Sequence, residues 1–115
     1  MGYDVHITRA QHWTESELHP IPIDEWLGYV ASDPEMRLDN VAEAAADGDL
    51  LRYENNGLAV WIAFSGHGID GNMAWFDYRQ GAVVVKNPEE EILGKMKRIA
   101  DFFHANLIGD EGEFY

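Results

Sequence analysis

Leu58–Phe64 is the longest uninterrupted apolar run in the chain. Asn55-Asn56-Gly57 precedes it and Ser65-Gly66 follows it. Seven residues are too few to cross a bilayer, and turn signals at both ends argue for a strand. Leu58, Val60, Ile62 and Phe64 point to one side, and Ala59, Trp61 and Ala63 to the other. With both faces apolar, such a strand needs neighbours on each edge and cover on each face. A sheet with this strand near its centre is therefore the starting expectation.

The flanking sequence supplies the neighbours. Leu50–Glu54 reads as a strand, Asn55-Asn56-Gly57 as a tight turn, and Ser65–Asn72 as a glycine-rich loop. Ala74–Tyr78 and Ala82–Lys86 are strands joined by the turn Arg79-Gln80-Gly81. These segments predict an antiparallel meander. At the N-terminus, Tyr3, Val5 and Ile7 alternate with Asp4, His6 and Thr8, the pattern of a half-buried strand. Met36–Leu38 is a further short strand and Asp47-Gly48-Asp49 a turn, while Val41–Ala46 has little patterning.

Two helices are predicted. Ile23, Trp26, Leu27 and Val30 fall on one face of a helix over 23–31, with Asp24 and Glu25 in its positive first turn. Ser32-Asp33-Pro34-Glu35 ends it and suits a short restart of helix. Asn87, Pro88 and Glu90 read as a capping box. From there Ile92, Met96, Ile99, Phe103 and Leu107 form a stripe that Gly109 terminates. Glu113–Tyr115 suits a short edge strand.

The expected fold is a single α+β domain over 1–115: a mostly antiparallel, meander-rich sheet of five or six strands, with both helices on one face. The expected core comprises Val5, Ile7, Trp26, Leu27, Val30, Val60, Ile62, Phe76, Val84, Ile92, Met96, Ile99 and Phe103.

Charge narrows the function classes. Eight Lys and Arg against 21 Asp and Glu give a net charge of −13. A general nucleic-acid binder and an anionic-membrane binder both need a cationic face, so neither is expected. Residues 10–51 hold ten acids and one base, Arg37, so the acidity is concentrated in the N-terminal half. It serves solubility on one reading and a basic partner on the other. The chain has no cysteine, which removes disulfides, thiolate metal sites and a cysteine nucleophile. The N-terminal residues lack a basic stretch followed by an apolar one, so a cytoplasmic location is expected.

No Walker A loop, Rossmann glycine pattern, His-Glu-x-x-His or Gly-x-Ser-x-Gly is present, and Ser65-Gly66-His67-Gly68 lacks phosphate-loop spacing. His6, His12, His19, His67 and His104 include no pair with zinc-ligand spacing on one element, and Asp70-Gly71-Asn72 departs from a calcium loop. No metal, cofactor or catalytic residue is expected. Asp77 lies between aromatics, which can raise a carboxyl pKa, but Arg79 shares its strand face and can pair with it. Trp13, Trp61 and Trp75 suit either packing or the lining of a ligand pocket.

Several segments taken together carry a likeness: Tyr3-Asp4-Val5-His6-Ile7-Thr8-Arg9-Ala10, Glu25-Trp26-Leu27, Ser32-Asp33-Pro34-Glu35, Trp75-Phe76-Asp77-Tyr78, Val85-Lys86-Asn87-Pro88 and Gly109-Asp110-Glu111-Gly112-Glu113. Over essentially its whole length the chain resembles a group of small bacterial proteins; that resemblance implies no activity and no catalytic residues. In size, acidity and lack of a catalytic motif it resembles the immunity proteins of bacterial polymorphic-toxin systems. That second likeness implies a non-enzymatic inhibitor of a basic toxin domain. Acids in predicted loops or the tail are the candidate contacts: Asp47, Asp49, Asp70, Asp110, Glu111 and Glu113. The alternatives are a nucleic-acid mimic that occupies a DNA-handling protein, and a small ligand-binding domain or enzyme with a tryptophan-lined pocket that uses Asp77 or a histidine.

Overall fold

The computed structural model describes residues 3–46 and 48–115, for 44–46 the backbone alone. The fold is α+β. Its strands are β1 (Asp4–Thr8), β2 (Met36–Leu38), β3 (Val41–Ala46), β4 (Asp49–Glu54), β5 (Ala59–Trp61), β6 (Trp75–Arg79), β7 (Ala82–Lys86) and β8 (Asn106–Gly109). Its α-helices are α1 (Ile23–Ser32) and α2 (Glu90–Phe103). Six strands form one antiparallel sheet in the order β2-β5-β6-β7-β1-β8, and β3 with β4 forms a separate hairpin. Of the expected meander, β5-β6-β7 is present; Leu50–Glu54 does not join it, because β4 turns back on β3 instead of pairing with β5, and β5 lies beside the edge strand β2 and not at the sheet centre. The N-terminal strand enters beside β7 and β8 closes the far edge.

Register separates the two faces of the sheet. Val5 pairs with Val85, and Ile7 with Val83 and Leu107, so these apolar side chains share one face. Trp26 and Val30 of α1 and Ile92, Met96, Ile99 and Phe103 of α2 pack on them in one core. The opposite face carries His6, Thr8, Asp77, Arg79, Val84 and Lys86. There the segment between β1 and α1 covers one end. Ala10 N–H donates to Thr8 Oγ1 (3.1 Å), and Ser16 Oγ–H donates to the Trp13 carbonyl (2.6 Å). That uses the one proton of Ser16, so the 2.7 Å contact of the two hydroxyls is donated by Thr8. Gly81 lets this segment approach: a Cβ there would lie 2.8 Å from Pro20 Cβ and from the Ser16 carbonyl oxygen, at φ +84°.

Several local expectations are corrected. Only Ala59–Trp61 of the apolar run is paired, because β2 is three residues long and the chain turns after Trp61. Ile62 is consequently 37 % exposed and outside the core, and Leu27 is half-buried at its margin. The predicted capping box does not form. Asn87 sits at φ +47° with its Oδ1 accepting from Tyr3 N–H (2.8 Å), and α2 starts at Glu90. Pro34 starts no helix but lies in the turn into β2. The final helix stops at Phe103, where His104 adopts a left-handed conformation and Ala105 N–H closes on the Ala100 carbonyl (2.8 Å). Leu107 continues the helical spacing in sequence but points inward from a strand. Val41–Ala46 forms β3, supported by pairing with β4 rather than by side-chain pattern. At the tail, Phe114 bridges to Ile108, a single step of the expected edge strand.

One ion cluster locks α2 to the α1–β2 turn. Lys95 is 4 % exposed, and its ammonium donates to Asp33 Oδ2 (2.7 Å) and Glu35 Oε1 (3.0 Å). Tyr29 O–H also donates to Asp33, and Trp61 Nε1–H to Glu35 (3.2 Å). Burial works to raise the Asp33 pKa, but the Lys95 and Tyr29 donors outweigh it and hold the carboxyl below its usual range. The Lys95 hydrogen bond likewise lowers Glu35. Carboxyls lowered in the folded state stabilise it above their unfolded pKa, and that stabilisation is lost as pH falls through the folded values. The melting temperature is therefore expected to be level above pH ~5 and to drop below pH ~4. Lys95→Ala should cost about 3 kcal/mol, since it leaves Asp33 unpaired, and should flatten the acid limb. Thermal melts of both proteins across pH 2–7 check this; an unchanged acid limb in the variant would count against the cluster as its source.

Candidate functional site

The sheet is not continuous across its helix-free face. The β6–β7 ladder ends at Asp77↔Val84, whereas the first residues of β6 pair with β5, Trp75 with Val60 and Phe76 with Ala59. Strand β6 thus passes from one neighbour to the other. A groove of about 530 Å³ opens beside this change, within the volume range of small-molecule sites. Leu58, Met73, Trp75 and Val84 give it apolar walls, Ala42 and Tyr53 at the base of the hairpin border it, and Arg79 and Lys86 contribute its cationic groups.

Asp77 organises one end. It is 5 % exposed and accepts three hydrogen bonds: Asn55 Nδ2–H on Oδ1 (2.7 Å), and Tyr53 O–H (2.8 Å) and Arg79 Nε–H (2.7 Å) on Oδ2. Asn55 also donates to the Tyr78 carbonyl (2.7 Å). Burial, then the hydrogen bond to Asp77 and its charge, raise the Tyr53 phenol pKa. Burial works to lower Arg79, but the hydrogen bond to Asp77, the Asp77 charge and Tyr53 together outweigh it and the net shift is upward. The expected pairing of Asp77 with Arg79 is present. Tyr53 and Asn55 are additions no local sequence signal reveals, because they lie 24 and 22 residues away.

The tryptophans divide by how they use their indole N–H. Trp13 donates to the Asp110 carbonyl (3.0 Å), Trp26 to the Gly57 carbonyl (2.8 Å) and Trp61 to Glu35 (3.2 Å). Among the described residues, Trp75 alone has no acceptor for this group; it is half-buried in the groove wall. Of the three tryptophans considered for a pocket, Trp75 lines the groove, Trp13 lines a smaller recess and Trp61 belongs to the core.

The smaller recess, about 140 Å³, lies further along the same face. His6 stacks flat on Trp13, with ring centroids 4.3 Å apart, and its Nε2 lies 2.9 Å from Asp110 Oδ1. Asp110 Oδ2 accepts Asp4 N–H (2.8 Å). Burial works to raise Asp110, but the Asp4 N–H and His6 outweigh it and hold the carboxyl low. Arg79 borders both recesses and a third, more open hollow of about 520 Å³ beside Tyr53 and Asn55.

The acids predicted to meet a partner lie in separate places. Asp49 starts β4 and Asp70 sits at φ +53° in the loop between β5 and β6; both are exposed. Asp110, Glu111 and Glu113 share the C-terminal turn. Asp110 is engaged by His6 and Asp4, Glu113 lies against the Tyr3 hydroxyl, which lowers its pKa, and Glu111 is exposed. Asp47 lies outside the described residues. Among the described residues, five acids of 10–51 are in ion pairs: Glu25 with Arg9, Asp33 and Glu35 with Lys95, Asp39 with Arg37, and Glu43 with Arg52.

Among the described residues, no group of three or more His, Asp or Glu is placed to hold a metal ion, and no helix is long and apolar enough to cross a membrane. No protein-family model, curated protein or solved structure matches the chain.

Asp77→Ala should leave Tyr53, Asn55 and Arg79 without their shared acceptor and cost about 1–3 kcal/mol. Backbone amides of β3 and β4 should lose hydrogen-exchange protection before those of β1 and β7. Uniform loss across all strands would show that Asp77 supports the sheet and not the hairpin.

Proposed function

We propose that this chain is a binding protein of the immunity type, neutralising a basic toxin domain. The observation that carries this reading is the β3–β4 hairpin. Every residue of β4 is exposed, with Leu50 at 68 %, Leu51 at 57 % and Tyr53 at 45 %. Leu38 on β2 adds a further exposed apolar side chain. Exposed large apolar groups ringed by polar ones are characteristic of interaction surfaces. On one face of the hairpin Asp49 lies beside Leu51 and Tyr53, and the chain's net charge of −13 suits a cationic partner. The apolar groups supply affinity on docking. Asp49, Asp70 and Glu111, exposed and without a salt-bridge partner among the described residues, speed the encounter.

Internal ion pairing engages Glu25, Asp33, Glu35, Asp39 and Glu43, which favours the toxin-binding reading over a nucleic-acid mimic that needs an open row of acids.

The experiment is capture of partners on the tagged protein, followed by inhibition of the captured protein's activity. The expected result is one near-stoichiometric basic protein that this chain inhibits. Leu51→Asp should weaken binding by about 1–2 kcal/mol or more. Asp49→Lys combined with Glu111→Lys should slow association and reduce its salt dependence. A partner bound equally well by all these variants would place the interface elsewhere. Capture of only a salt-labile mixture would leave the acidity as a solubility device.

A further inference from the structure

We propose that the groove beside β6 is a binding site for an amphipathic organic anion, of the class of an aromatic carboxylate, independent of any protein partner on the hairpin. The argument is one of donors and acceptors. In a chain with 21 carboxylates, this groove presents donors in surplus. Trp75 has a spare indole N–H among the described residues. Arg79 commits Nε–H to Asp77, while its two terminal nitrogens have no acceptor among the described residues, and its side chain is 40 % exposed. Lys86 is exposed and has no carboxylate within salt-bridge distance among the described residues. Among the described residues the one carboxylate in the wall is Asp77, which already accepts three hydrogen bonds. It neutralises one guanidinium and has little capacity left for a ligand donor.

Geometry sets the shape of the guest. Trp75, Asp77 and Arg79 alternate on one strand and face the same way, so Trp75 and Arg79 stand about 13 Å apart along β6. Val84 lies across from Asp77, between them, and Leu58 adds to the apolar wall. A flat apolar body fits against Trp75 and Val84, and its carboxylate reaches the free edge of the Arg79 guanidinium. That edge is held in place by Asp77 and suits a two-oxygen acceptor. Lys86, at the Trp75 end, adds attraction for a negative guest. A cationic guest meets Arg79 and Lys86 and is rejected.

Biphenyl-4-carboxylate matches this length and charge and is the probe. It is titrated into the 15N-labelled full chain while the four indole N–H signals are followed, that of Trp75 being assigned with Trp75→Phe. The expected result is a saturable shift of the Trp75 signal, with those of Trp26 and Trp61 unmoved. Biphenyl-4-carboxamide should bind at least about tenfold more weakly, the value of one charge-assisted contact, and biphenyl-4-methylamine weaker still. Arg79→Gln should remove most of the difference between acid and amide, and Lys86→Glu should weaken the acid alone. If Arg79→Gln does not fold, the acid–amide comparison on the unaltered chain decides. Absence of a saturable Trp75 shift at about 1 mM probe overturns the site, and equal binding of acid and amide overturns the anion class. Because Leu51→Asp lies outside the groove lining, it should leave the probe affinity unchanged, so failure of the hairpin interface and failure of this site are read separately.

Discussion

The Lys95 ammonium holds the helical layer in place. Helix α2 is amphipathic, yet it buries a lysine among Ile92, Met96 and Ile99 on its core side. A charge so placed is tolerated only with partners, and Asp33 and Glu35 supply them from the turn between α1 and β2. Since β2 is the edge strand beside β5, the cluster fixes both helices and one margin of the sheet relative to each other. The ammonium also lies 5.9 Å from the Trp61 ring centre, which draws β5 into the same arrangement.

With the helices fixed on one face, the other is left to shorter structures. The segment before α1 covers one end of it through Trp13, Ser16 and Pro20. The hairpin overhangs another part, tied by Tyr53 and Asn55 to Asp77. Both attachments rely on polar contacts of single side chains more than on extensive apolar burial. This face consequently keeps two recesses, one lined by Trp75, Val84 and Arg79 and reaching Val85 and Ile92 of the core, the other by His6, Trp13 and Asp110.

Much of the architecture was legible because it is written in local periodicity. The alternation of Tyr3–Thr8, the strand–turn–strand of Ala74–Lys86 and the spacing of Trp26 and Val30 are each visible within one segment. Local pattern fails as a guide where two periods coincide. Leu107 lies four residues after Phe103 and satisfies a helical stripe, but also alternates inward from β8. The break is set by His104 in a left-handed conformation, an arrangement histidine does not announce. Asn87 has the composition of a cap but is recruited by the backbone of Tyr3, a contact spanning 84 residues. For the site, the Asp77–Arg79 pair was readable at two residues' separation. The engagement of Asp77 by Tyr53 and Asn55, and of Asp110 by His6, depends on the finished topology. Hence a loop position does not mark an acid as free for a partner: the fold engages Asp110 through His6 and Asp4, and Glu113 through Tyr3 and the Glu111 N–H.

The division of β6 between two ladders reaches beyond the opening it creates. A strand hydrogen-bonded along one edge can slip by a residue at the expense of that edge alone. Strand β6 is held by β5 at its start and by β7 at its end, so a slip would break both ladders at once. It would also exchange the two sets of side chains, sending Phe76 and Tyr78 into water and turning Trp75, Asp77 and Arg79 into the core. The floor of the groove is therefore held against slippage from two sides, whereas the hairpin beside it meets the sheet at its base, through Asp77, the Tyr78 carbonyl and the backbone of Asn40 and Leu58.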